Sequence, residues 1–121
     1  MTSAINPNAE KALALVVKYS RLQTRIGQCK RTAVALYDAC ERQLPNGSSG
    51  CLNDLSELFN NNKSADDDVR LSFPELVDEA KLCRHCNVGL ELRMHAKHKL
   101  GRRRASTLAA ICRTGQRAVS L

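Results

Sequence analysis

The stretch from Asn6 to Cys40, NPNAEKALALVVKYSRLQTRIGQCKRTAVALYDAC, decides the fold. Ala12, Leu15, Tyr19, Leu22, Ile26, Cys29, Ala33, Leu36 and Cys40 recur in it at alternating steps of three and four. That is the heptad spacing of one helix laid along a partner. Asn6 is placed to cap the helix, with Pro7 at the first helical position, where a missing amide hydrogen costs nothing. Pro45-Asn46-Gly47 is the predicted stop. These bounds give a helix of about 38 residues, roughly 57 Å long, and a single helix of that length needs a partner to cover its apolar seam.

The partner is predicted downstream. Ser72-Phe73-Pro74-Glu75 has the spacing of a capping box, and Leu76, Ala80, Cys83, Leu90 and Met94 follow as a second seam, with Asn87 and Lys97 as polar interruptions. The second helix is expected to run to about Gly101. A third piece, Ala105 to Val119, carries Leu108, Ile111 and Cys112 and either continues that helix or folds back as a short one. Between the long helices, Cys51 to Phe59 has Leu52, Leu55, Leu58 and Phe59 on one face and reads as a short helix. Residues 60–70 read as a mobile acidic loop. The expected architecture is all-α, one domain over residues 1–121: an antiparallel hairpin of two long helices with a capping loop, and a third short C-terminal helix as the open alternative. Helix one is also a candidate homodimer seam, because a heptad can pair with its own copy.

Composition agrees with a helical core. Of 121 residues, 43% are hydrophobic, yet only two Tyr, two Phe and no Trp contribute, which leaves Leu, Val, Ile and Ala to fill the interior. No apolar run approaches the ~20 residues of a membrane span, and the first residues lack the pattern of a signal peptide. A cytoplasmic protein with no membrane partner is the expectation. In that reducing setting six cysteines point to metal ligands or buried apolar groups rather than disulfides.

Zinc is the predicted cofactor. Thiolates hold zinc in groups of four, usually as local pairs, and Cys83-x-x-Cys86 is one such pair. Cys40 and Cys51 flank the turn after helix one, and an antiparallel hairpin returns that turn to the start of helix two. The predicted ligands are therefore Cys40, Cys51, Cys83 and Cys86. His85 is an alternative to one thiolate. A set of Cys83, Cys86, His95 and His98 would require a break in helix two. Cys29 reads as seam packing, and Cys112 stays open between core and ligand. The plain alternative for Cys83 and Cys86 is two thiols on one helix face turned to a core.

Charge is unevenly distributed. Lys and Arg number seven against three acids over residues 1–45, two against eight over 46–80, and ten against the single Glu91 over 81–121, for a net +7. Arg93, Lys97, Lys99, Arg102, Arg103, Arg104, Arg113 and Arg117 form a basic stretch suited to a nucleic-acid backbone or an acidic protein surface. Scarce aromatics argue against stacked single-strand recognition, and no helix-turn-helix or finger spacing is evident. No nucleophile–base order, phosphate loop or His-Glu-x-x-His is present, so a non-enzyme is expected.

Cys83-x-x-Cys86 leading into a basic helix with Arg93 and Lys97, then Leu100-Gly101-x-Arg103-Arg104, resembles small proteins encoded by tailed bacteriophages and prophages. The resemblance covers about thirty residues and departs from tidier versions at His85 and Cys112. It implies a bacterial host cytoplasm and an accessory role during infection. Two functions fit: a zinc-stabilised accessory or regulatory protein that binds nucleic acid through its basic C-terminal helix, or an inhibitor or adaptor that docks on a host machine, such as a CRISPR defence nuclease complex or RNA polymerase, without binding DNA itself.

Overall fold

A computed structural model describes the backbone of residues 6–119 and the side chains of residues 6–116. The chain is all-α. Helix α1 spans Pro7–Asp38, α2 Gly50–Lys63, α3 Phe73–Ala80 and α4 Arg84–Met94; a π-helical segment, His95–Leu100, leads without interruption into α5, Gly101–Val119. Contacts group the chain into two compact units, one of residues 1–30 and 94–121, the other of residues 31–93.

The first unit pairs the start of α1 with the π segment and α5. Leu22 and Ile26 bury against Ala96 and Leu100, with Cys29 packed beside them. Arg104 donates to the Gln23 side chain, which ties α5 to α1. Asn6 caps α1 as the sequence predicts: its side chain accepts from the Asn8 amide at 2.9 Å and its carbonyl from Glu10 at 3.0 Å. The seam thins toward that end, where Leu13 is 66% exposed.

The second unit is built from the end of α1, α2, α3 and α4. Ala33, Tyr37, Cys40, Cys51 and Cys86 form its core, with Leu52, Leu82, Cys83 and Leu92 packed on them. Leu55, Leu76 and Ala80 are buried as well, and Phe59 stacks on Phe73 with ring centroids 5.7 Å apart. Here α1 and α4 run antiparallel: Glu41 meets Arg84, while Tyr37 and Ala33 meet Gly89. A Cβ at Gly89 would lie 2.8 Å from the Tyr37 ring, so the missing side chain is what lets α4 approach α1 so closely.

The structure corrects several sequence boundaries. Helix one stops at Asp38, short of Pro45, because the backbone around Cys40 turns away to serve the thiol cluster described below. The short helix α2 starts at Gly50 and runs past Phe59 to Lys63. Asn62, in its last turn, then exchanges two hydrogen bonds with the Leu71 backbone, of 2.8 and 3.2 Å. The expected second helix is two helices. Its capping-box start is right, with the Ser72 amide donating to Glu75 at 3.0 Å, but Lys81 adopts left-handed dihedrals (φ 50°, ψ 59°) and ends α3. A fresh helix begins at Arg84, and its phase is set by Cys86 instead of Leu76. Leu90 and Met94 are therefore only half-buried, while Cys86, Gly89, Ala96 and Leu100 face inward. The predicted polar interruptions, Asn87 and Lys97, are exposed and off the seam. The C-terminal piece continues the helix past Gly101: the Gly101 amide donates to the Ala96 carbonyl in the wider π pattern and enters α5 with helical dihedrals.

Candidate metal centre and cationic surface

Cys40 lies just beyond α1, Cys51 in the first turn of α2, Cys83 in the break between α3 and α4, and Cys86 in the first turn of α4. Their four Sγ atoms all lie within 4.8 Å of one another, and three of the residues are buried. The Cys40 and Cys83 sulfurs are 3.9 Å apart. A tetrahedral zinc with Zn–S bonds of about 2.3 Å sets its sulfurs about 3.8 Å apart, so the spacing suits a tetrathiolate site.

The local backbone is shaped to point donors at sulfur. The Arg42 amide donates to Cys40 Sγ and the Cys83 amide to Cys51 Sγ, each at 3.3 Å. Ser49 Oγ caps α2 through the Leu52 amide at 3.2 Å and also lies 3.3 Å from Cys86 Sγ. The Arg42 guanidinium reaches Cys51 Sγ at 3.7 Å and pairs with Asp54. Donors aimed at sulfur stabilise thiolate character and fix the orientation of ligand side chains.

A tight return between Cys40 and Cys51 makes this possible. Gly47 sits at φ 84°, the Leu44 amide donates to Ser48 O at 2.8 Å, and the Gly50 amide donates to Arg42 O at 2.8 Å. Any Cβ on Gly50 would run into that Arg42 carbonyl oxygen. The Pro45-Asn46-Gly47 turn signal is thus part of the return that joins Cys40 to Cys51 and not the end of helix one.

The thiols divide into two pairs. Burial works to raise Cys40, but hydrogen bonds from Ser49, from the Cys51 and Arg42 backbone and from Cys86 outweigh it and bring its pKa down to about 6. Cys83 is lowered in the same way: burial opposes, and backbone hydrogen bonds from Cys86 and Glu41 prevail. Burial pushes Cys86 up to about 12 and raises Cys51, and the neighbouring Cys40 and Cys83 sulfurs add to both. Cys40 and Cys83 are shifted toward the thiolate and Cys51 and Cys86 away from it, and a divalent cation binding here would displace the protons that remain.

The other residues singled out from sequence fall elsewhere. His85 turns to Glu41, its Nε2 3.7 Å from the carboxylate oxygen that Arg84 also holds at 2.7 Å. Among the described residues, the four cysteines are the metal-capable group, and neither His95 nor His98 joins them. Cys29 packs in the first unit's core, as its seam position implied, and Cys112 is exposed.

Of the basic residues, Lys97, Lys99, Arg102, Arg103 and Arg113 are exposed on the first unit; Arg104 is half-buried against Gln23. Arg93 belongs to the second unit, where it is exposed and its charge acts on the Tyr37 hydroxyl. The Arg117 side chain lies outside the described residues. The structure adds cations that sequence reading passed over: Lys18, Arg21 and Arg25 on α1 border a depression with Arg103 and Leu22. No Asp or Glu occurs between Lys11 and Tyr37, or after Glu91, a signal legible in the sequence once those two runs are known to pair. The first unit's residues hold twelve Lys and Arg against Glu10, and the second unit's hold seven against eleven acids.

No helix among the described residues is long and apolar enough to cross a membrane. Comparison with protein-family models, with curated proteins and with solved structures finds no match to the chain.

Proposed function

We propose that this chain is a zinc-stabilised, non-catalytic accessory or regulatory protein that binds the nucleic-acid backbone through the cationic surface of its first unit. It would be of the phage type that the Cys83 to Arg104 segment resembles. The observation that carries the reading is the charge partition, twelve cations against one acid in one unit, with an acidic excess confined to the other. A merely solvated helix face usually mixes both signs and gains i,i+4 ion pairs. Here both paired helices forgo them over long runs, and a polyanion is the partner that repays such repulsion.

Zinc is the metal favoured by the donor set. Four sulfurs with no oxygen ligand suit a borderline-soft ion with tetrahedral preference, and a site with all four positions filled by protein leaves none open for a reactive water. Its role would be to hold the Cys40–Cys51 return, α2 and the start of α4 together. Native mass spectrometry of untagged protein, with DNA and RNA oligomers titrated in, tests both halves. One zinc per chain with oligonucleotide adducts is the expected result. Zinc without adducts would replace the nucleic-acid reading with docking on an acidic host protein, and absence of zinc would reduce the cysteines to core residues.

A further inference from the structure

The depression on the first unit is bordered by Lys18, Arg21, Arg25 and Arg103 around the buried Leu22. It joins α1 to α5, whereas the basic stretch read from sequence lies on the C-terminal helix alone. Lys18, Arg21 and Arg25 stand at i, i+3 and i+7, one face of α1 and about 10 Å of axial rise. Like charges at these spacings destabilise a helix, and no carboxylate lines the depression to offset them. Arg103 is brought to the same place because its neighbour Arg104 is fixed to Gln23 of α1. Four cations from two helices thus converge on an apolar floor with no internal counter-ion.

The ligand chemistry follows from what is present and what is missing. Three guanidiniums match phosphate oxygens in bidentate geometry, with Lys18 as a point charge beside them. Tyr19 is the single Phe, Tyr or Trp in the first unit's sequence, and it is half-buried, so the unit offers little of the large aromatic surface on which unpaired bases stack. A stiff two-helix surface contacting phosphates alone suits a strand whose phosphates are already held in place. We infer that Lys18, Arg21, Arg25 and Arg103 form a phosphodiester-binding groove that seats one strand of duplex nucleic acid, independent of base sequence. This inference rests on the nucleic-acid reading above and assigns α1 an equal part in it.

Fluorescence anisotropy with a labelled DNA duplex of about two helical turns (roughly 20 base pairs) and with one of its single strands tests this, each titrated over a range of salt. The zinc-loaded wild-type protein is compared with K18Q/R21Q/R25Q and with R102Q/R113Q, whose positions lie outside the groove. Glutamine keeps helix propensity, and circular dichroism and zinc content check that each variant folds. Three lost phosphate contacts should flatten the slope of log K against log salt by about 2.7, with duplex preferred over single strand by the wild type. An unchanged slope in K18Q/R21Q/R25Q beside a flattened one in R102Q/R113Q would overturn the groove and leave the nucleic-acid reading standing. Single strand bound as tightly as duplex would overturn the duplex assignment. No binding of either oligomer by the wild type at low salt would remove the groove and the nucleic-acid reading together.

Discussion

The two units solve the same problem, holding paired helices together with few large side chains, by different means. The second unit has a core made partly of sulfur: Cys40, Cys51 and Cys86 stand where a larger protein would place Leu or Phe, and four thiols draw in three separate pieces of chain. Among its described residues the first unit has no such cluster. It relies on Leu22, Ile26, Ala96 and Leu100 and on the bond between Arg104 and Gln23, and it carries the larger share of mutually repelling charge. The contrast teaches that an unbalanced charge is tolerated where helices are regular and paired, while the short irregular segments gather the four thiols.

Removing the metal ligand is the most forceful way to break that contrast. Cys51 is fully buried and touches the Cys83 amide and Arg42. Cys51→Ser, or a strong chelator, is expected to abolish stoichiometric zinc and with it a stabilisation on the order of 10 kcal/mol. Amide exchange should show α2 and α3 losing protection while α5 keeps it; equal loss in α5 would mean that both units depend on the cluster.

Leu100→Ala probes the other side. Leu100 is fully buried in a core of few members, so truncation should cost about 2–5 kcal/mol in denaturant unfolding, with zinc still bound at one per chain. A cost below about 1 kcal/mol would show that the first unit does not depend on this core.

Gly50→Ala should have a smaller effect confined to the knuckle. The added Cβ meets the Arg42 carbonyl, and relief requires the Cys40 to Cys51 return to shift, at about 1–3 kcal/mol. Faster zinc transfer to a chromophoric chelator is the readout, and an unaltered transfer rate would show that the return is not needed for the site.

The smallest expected effect has the opposite sign. Arg21→Glu places an acid four residues before Arg25 and three after Lys18, and each new pair adds about 0.2–0.5 kcal/mol to the helix. The variant should melt slightly higher than wild type at low salt and lose the advantage at high salt, while binding duplex DNA less well. A variant that is less stable in low salt would sink the claim that charge repulsion is stored in α1.

The legible parts of the fold are those governed by local periodicity. The long seam from Leu22 to Ala33 and the caps at Asn6 and Ser72 follow from residue spacing and hydrogen-bonding chemistry alone. The pairing of the Cys40–Cys51 turn with Cys83-x-x-Cys86 was legible because an antiparallel hairpin returns one end to the other. Tyr37 was missed because the heptad places Leu36 on the seam, and Gly89 because a glycine looks like a gap in an apolar pattern when it is a point of closest approach. The break at Lys81 was hidden for a related reason. Nothing local forces a lysine into left-handed dihedrals; the requirement that Cys83 and Cys86 both reach the cluster does. The cations of α1 were passed over because they are spread along the helix at ordinary surface spacing.

By itself, then, the sequence determined that this protein is helical, that its first helix needs a partner, and that four thiols and an excess of basic charge are available, since each depends on residue identity and short-range spacing. Only the tertiary structure decided where the second helix breaks, which face α4 buries, and that Lys18, Arg21 and Arg25 share a depression with Arg103. Those outcomes depend on which distant segments meet: the gathering of Cys83 and Cys86 with Cys40 and Cys51 sets the break and the face of α4, and the packing of α5 on α1 sets the depression.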